Sequence, residues 1–132
     1  MIEIQEHIPL SHLTTFEIGG EARYFVEVRT EDDLREAILY ARERAMKFAI
    51  LGGGSNTLVD DAGFGGLVIR ISLKEHSFAG TELAADAGCT LLELIHSAAD
   101  HGLGGWEKLA GIPGSVGGAI RGNAGAFGSE IK

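Results

Sequence analysis

Phe48-Ala49-Ile50-Leu51-Gly52-Gly53-Gly54-Ser55-Asn56-Thr57 begins as a short apolar run and ends in glycines followed by hydroxyl and amide side chains. Four apolar residues bounded by glycine suit a buried strand. The glycines permit positive φ and a tight loop whose N–H groups converge on one anion. A tight surface turn is the competing reading, because short glycine motifs also arise by chance. A Walker loop requires Gly-Lys-Ser/Thr, and no lysine stands here. A Rossmann fingerprint requires glycine at the sixth position and a helix behind it. Thr57 holds that position, and Gly63, Gly65 and Gly66 leave no room for a helix. A phosphate-cradling loop is therefore expected outside both of those folds.

Upstream, residues 22–28 (Ala-Arg-Tyr-Phe-Val-Glu-Val) are aromatic and β-branched and predict a strand. Thr30 is an N-cap candidate, and Asp33 three residues on completes a capping box. Leu34, Ala37, Ile38, Ala41 and Ala45 follow at helical spacing. Acids at the start (Glu31, Asp32, Asp33) and bases at the end (Arg42, Arg44, Lys47) match the helix dipole. Residues 22–56 thus read as strand, helix, strand and glycine loop, a βαβ-like unit. Downstream, residues 67–73 predict a strand, and 75–79 and 82–87 two more, separated by Gly80. Thr90 and Glu93 form a second capping box, and Gly102 ends that helix. The expected organisation is α+β, with one lobe at about residues 1–60 and a second at 61–132.

The chain has 132 residues, of which 20 are glycine. Only Gly19 and Gly20 precede Gly52, and seven glycines fall between Gly111 and Gly128. Within that second cluster, Pro113 is a candidate for the first position of a helix. Gly114, Gly118 and Gly122 are spaced by four, so a helical turn would give them one bare face. Such a face lets a flat ligand touch backbone directly, or lets helices pack closely. The net charge of −8 disfavours a dedicated nucleic-acid binder. Cys89 is the sole cysteine, which excludes an internal disulfide framework and a cysteine-based zinc site. The histidine spacings (His7/His12, His96/His101) do not place two metal ligands on one helix face, so no metal is expected. Residues 1–9 carry two glutamates and no apolar run, and no stretch approaches the ~18 apolar residues of a membrane span. The expectation is a cytoplasmic, soluble protein.

Four phrases then form a recognisable set: Thr14-Thr15-Phe16-Glu17-Ile18-Gly19-Gly20-Glu21-Ala22, Leu51-Gly52-Gly53-Gly54-Ser55-Asn56, Gly111-Ile112-Pro113-Gly114-Ser115-Val116-Gly117-Gly118-Ala119, and Asn123-Ala124-Gly125-Ala126-Phe127-Gly128-Ser129-Glu130-Ile131. In order and spacing the chain resembles the UDP-N-acetylenolpyruvoylglucosamine reductase family (UDP-N-acetylmuramate dehydrogenases) of bacterial peptidoglycan synthesis. The resemblance implies a two-lobed FAD-binding domain of the vanillyl-alcohol oxidase / p-cresol methylhydroxylase type, with the flavin held between the lobes. By that resemblance Gly52, Gly53, Gly54, Ser55, Asn56 and Thr57 correspond to the loop around the FAD pyrophosphate. Ala110, Gly111, Ile112, Pro113 and Gly114 correspond to a segment along the cofactor. Gly117, Gly118 and Ala119 correspond to backbone near the isoalloxazine ring, continued by Asn123, Ala124 and Gly125. The implied reaction is reduction of FAD by NADPH, then hydride delivery from the flavin to the enolpyruvyl group of a UDP-sugar.

The family is roughly twice as long, and its catalytic serine, glutamate and arginine lie beyond the Asn-Ala-Gly phrase. None is carried over, so the second lobe is expected to be incomplete and the substrate domain absent. Glu17 stands where many relatives have a basic residue, and Phe127 where many have tyrosine. Arg121 is either a diphosphate contact or a solvated charge. The alternatives to a reductase fragment are a stand-alone flavin-binding module, another flavin oxidase of the same domain class, and a non-flavin protein with glycine turns.

Overall fold

The computed structural model describes residues 1–131 and divides into two compact units, Met1–Leu73 and Lys74–Lys132. The first unit begins with β1 (Gln5–Pro9), a 3-10 turn at Leu10–Leu13, β2 (Glu21–Val28), α1 (Glu31–Glu43), β3 (Phe48–Leu51) and β4 (Phe64–Ile71). The sheet order is β1-β2-β4-β3. β4 runs parallel to both β2 and β3, while β1 is antiparallel to β2. The strands expected to form a contiguous βαβ unit are therefore separated by β4. This also moves the boundary expected at residue 60. The strand assigned to the second lobe is the centre of the first lobe's sheet, and the division falls after Leu73.

α1 covers one face of this sheet. Ala37 and Ala41 pack with Val26, Val28, Leu67, Ile69 and Leu73, all buried. Small alanines on the helix let it approach the branched side chains of the parallel strands. The opposite face carries Leu10, Ala22, Phe25, Leu51 and Val68. Beside them is an apolar groove of 210 Å³ lined by Leu10, Ile50, Leu51, Leu58, Phe64 and Val68, among others.

The second unit contains β5 (His76–Ala79), β6 (Glu82–Ala85), α2 (Leu91–Asp100), a 3-10 turn at Glu107–Leu109, α3 (Val116–Gly122), β7 (Gly125–Ala126) and β8 (Ser129–Glu130). β5–β6 and β7–β8 are separate antiparallel hairpins. Leu91, Leu94, Ile95 and Ala98 make the buried side of α2. The single helix predicted between residues 90 and 102 is present, and Gly102 (φ +72) follows its C-cap, His101.

Both expected capping boxes are formed. Thr30 Oγ1 accepts from Asp33 N (3.1 Å), and Asp33 Oδ2 accepts from Thr30 N (3.2 Å). Thr90 Oγ1 and Glu93 make the same reciprocal pair at 3.2 Å in both directions. The Arg29 N–H, followed by Thr30, holds the Asp33 carboxyl below the usual range, and Thr90 does the same for Glu93. Thr90→Ala should cost about 1 kcal/mol, read as a lower denaturant midpoint at unchanged m. An unchanged midpoint would show that the box does not stabilise α2.

Candidate cofactor-binding site

The 52–57 loop leaves the carboxyl end of β3. In open sheets with parallel strands, ligands bind outside that end, where loops diverge and N–H groups are free to converge. Gly53 and Asn56 are exposed, Gly52, Ser55 and Thr57 are half-buried, and Gly54 is buried. Gly54 has φ +74, and an added Cβ would collide with the Leu13 carbonyl oxygen and sit 3.0 Å from Thr14 Cα. Its carbonyl accepts from Thr15 N at 3.0 Å. Close approach explains this glycine, but the approaching group is the chain's own backbone. The Thr-Thr-Phe phrase and the glycine loop, far apart in sequence, are thereby brought together. Gly20 N likewise donates to Asp60 O at 2.9 Å, tying the following glycine pair to the exit of the same loop.

The neighbouring groove does not compete for the polar part of a ligand. Asp60 is its one charged lining residue, and its Oδ1 is engaged by Ala62 N at 2.7 Å. The groove therefore offers mainly apolar surface.

The second unit gathers the remaining predicted residues around α3. Val116, not Pro113, holds the first position of this helix, and Ser115 caps it, with Oγ accepting from Gly118 N at 3.3 Å. Val116 N donates to Cys89 O (2.8 Å) and Gly117 N to Ala87 O (2.9 Å). The first-turn N–H groups are therefore occupied within the unit, so α3 does not present them to a phosphate. Gly117 is required by packing: its Cβ would lie 2.9 Å from Ala87 Cβ. Ala119 is buried. The expected bare face shrinks accordingly. Gly114 precedes the helix with φ +113, and only Gly118 and Gly122 share its open side. Gly118 would meet nothing but Ser115 Oγ at 3.4 Å, while Gly122 and Gly111 have open space.

Ala110 and Ile112 continue the 3-10 turn through bonds to Glu107 O and Leu109 O. Pro113 is exposed and Gly114 half-buried. Asn123 ends α3 in the left-handed conformation, and its Nδ2 donates to Glu130 Oε2 at 2.9 Å. Ala124 N returns to Ala119 O at 2.9 Å, and Gly125 opens β7. The 110–119 and 123–125 segments thus form one cluster. Within it, Gly111 and Gly122 border open space. Among the described residues, no group of three His, Cys, Asp or Glu side chains is placed to hold a metal.

A glycine loop at the carboxyl end of a parallel strand, with a separate glycine-rich wall, defines a cofactor-binding domain rather than a complete catalytic centre. The chain belongs to the FAD-binding domain family, whose profile, described as "FAD binding domain", matches residues 22–132. It is 42 % identical over 132 residues to the UDP-N-acetylenolpyruvoylglucosamine reductase of Lactobacillus acidophilus, covering 99 % of this chain and 44 % of that protein. The same-named protein of Solibacter usitatus is 45 % identical over 131 residues, covering 99 % and 42 %. The chain thus spans less than half the length of these relatives. The crystal structure of UDP-N-acetylenolpyruvylglucosamine reductase from Thermus caldophilus matches with TM-score 0.80 and 34 % identity, over 98 % of this chain and 46 % of that one. Cholesterol oxidase from Brevibacterium sterolicum shares the fold (TM-score 0.62, 15 % identity).

Proposed function

We propose that the chain is the FAD-binding part of a flavin-dependent, NADPH-using reductase that forms UDP-N-acetylmuramate from its enolpyruvyl precursor in peptidoglycan synthesis. The observation that carries this reading is 42 % identity along 99 % of the chain to a reductase of that name. Bound FAD would accept hydride and pass it to an activated double bond. The work of this chain is to hold and orient the cofactor. The 52–57 loop supports the diphosphate through N–H groups. Gly111, Gly118 and Gly122 leave room for the ring system, and Asn123, Ala124 and Gly125 extend that wall. The UDP-sugar is the proposed second ligand, and the cytoplasm the proposed location. Among the described residues no helix is long and apolar enough to cross a membrane.

The fit rests on this chain's own geometry. The loop sits where parallel strands end, and a Cβ added at Gly111 or Gly122 would meet no atom, with only Ser115 Oγ near Gly118. Purified chain titrated with FAD should quench flavin fluorescence saturably. Gly53→Val should weaken binding by at least about tenfold, because a branched side chain crowds the diphosphate in an exposed part of the loop. Unchanged affinity would remove the loop from the cofactor site. Turnover of NADPH with the enolpyruvyl UDP-sugar by this chain alone would contradict its assignment as the non-catalytic part.

A further inference from the structure

Two buried polar residues have opposite fates. Ser115 is 6 % exposed and its hydroxyl caps α3. Thr14 is 7 % exposed, and its Oγ1 is shielded and has no hydrogen-bond partner within the chain. A buried hydroxyl without a partner bears the full cost of its desolvation. Irregularities gather around it. Glu17 adopts φ +55, and Phe16 and Ile18 are 55 % and 54 % exposed. Residues that break local rules in one place mark functional sites more often than ordinary surface.

The position supports the same conclusion. Thr14 Cα lies 3.0 Å from where a Gly54 Cβ would stand, and Thr15 N holds the Gly54 carbonyl. The hydroxyl is two bonds from that Cα. It therefore sits at the base of the glycine loop.

We propose that Thr14 is a hydrogen-bonding residue of the cofactor site. Its hydroxyl takes up its missing bond when a phosphate-bearing ligand draws the 52–57 loop onto itself. This rests on reading that loop as the FAD diphosphate loop. The oxygen is closed off in the present loop conformation, so the loop has to shift for the bond to form. Gly54 is pinned by Thr15 N, so the freedom lies in Gly52 and the exposed Gly53.

Thr14→Val keeps the shape and removes the hydroxyl, whereas Thr14→Ser keeps the hydroxyl. Each chain is melted without FAD and then titrated with FAD. The expected result has two opposite signs. Thr14→Val melts at the same or a higher temperature, since an unsatisfied group is gone, yet binds FAD about tenfold more weakly. Thr14→Ser restores the affinity. If Thr14→Val fails to fold, Thr14→Ala is compared with Thr14→Ser in the same way. A hydroxyl that only bonds internal water would change the melting temperature and leave affinity unchanged, which overturns the proposal. If the wild-type chain binds no FAD, the reading of the loop fails and the proposal falls with it. Wild-type binding with unaltered Thr14→Val binding sinks the Thr14 role alone.

Discussion

Gly54→Ala should destabilise the first unit by about 3 kcal/mol or more and abolish cofactor binding under conditions where the wild type is saturated. Two effects add. Placing an alanine at φ +74 costs about 1–2 kcal/mol, because Cβ crowds the backbone in the left-handed region. The same Cβ collides with the Leu13 carbonyl oxygen and Thr14 Cα, which are backbone atoms that cannot rotate away. Relief requires the Leu10–Leu13 turn to retreat, and that breaks the Thr15 N–H to Gly54 bond, a further ~1 kcal/mol. Against a typical total of about 5–15 kcal/mol this is a large fraction. A urea titration monitored by far-UV circular dichroism checks it. A variant as stable as the wild type would show that the close approach of residue 54 to residues 13 and 14 is not part of the fold.

Leu67→Ala should have a comparable effect for a different reason. Leu67 is fully buried on the central strand β4, with Tyr24 of β2 and Phe48 of β3 as its register partners. It packs under α1 with Val26, Ile69, Ala37 and Ala41. Truncation removes the transfer energy of the side chain and leaves a cavity between sheet and helix, about 2–5 kcal/mol together. Leu58→Ala is the internal control, since Leu58 is 69 % exposed and its loss should cost under about 0.5 kcal/mol. Equal destabilisation by both changes would contradict the assignment of the core.

The parts of the fold that residue spacing revealed are local ones. Thr30 with Asp33 and Thr90 with Glu93 announce their helices because each box is closed within four residues of chain. The Phe48–Leu51 run and its glycine loop are legible for the same reason. β1 is not, because Gln5, Glu6 and His7 show no apolar alternation. This edge strand exists through its pairing with β2, with His7 at φ +55 stepping out of the ladder between Glu6 and Ile8. The place of β4 between β2 and β3 is a long-range choice that periodicity does not encode. Glycines 65 and 66 also hid its start at Phe64.

The site divides in the same way. A glycine excess correctly signals close backbone approach, but composition does not say to what. At Gly54 and Gly117 the answer is the chain's own backbone and a neighbouring alanine, whereas Gly111 and Gly122 face open space and Gly118 has only Ser115 Oγ nearby. Thr14 opens the first of the four phrases, but its orphaned hydroxyl is invisible there, because it exists only in the folded chain beside Gly54.

Amide chemical-shift mapping of the chain during an FAD titration tests the central claim most directly. The account predicts saturable shifts at Gly52, Gly53, Ser55, Asn56 and Thr57, with further changes at Gly111, Gly118 and Gly122. Saturable FAD binding that leaves the 52–57 amides unmoved, or no binding at any accessible concentration, would contradict it.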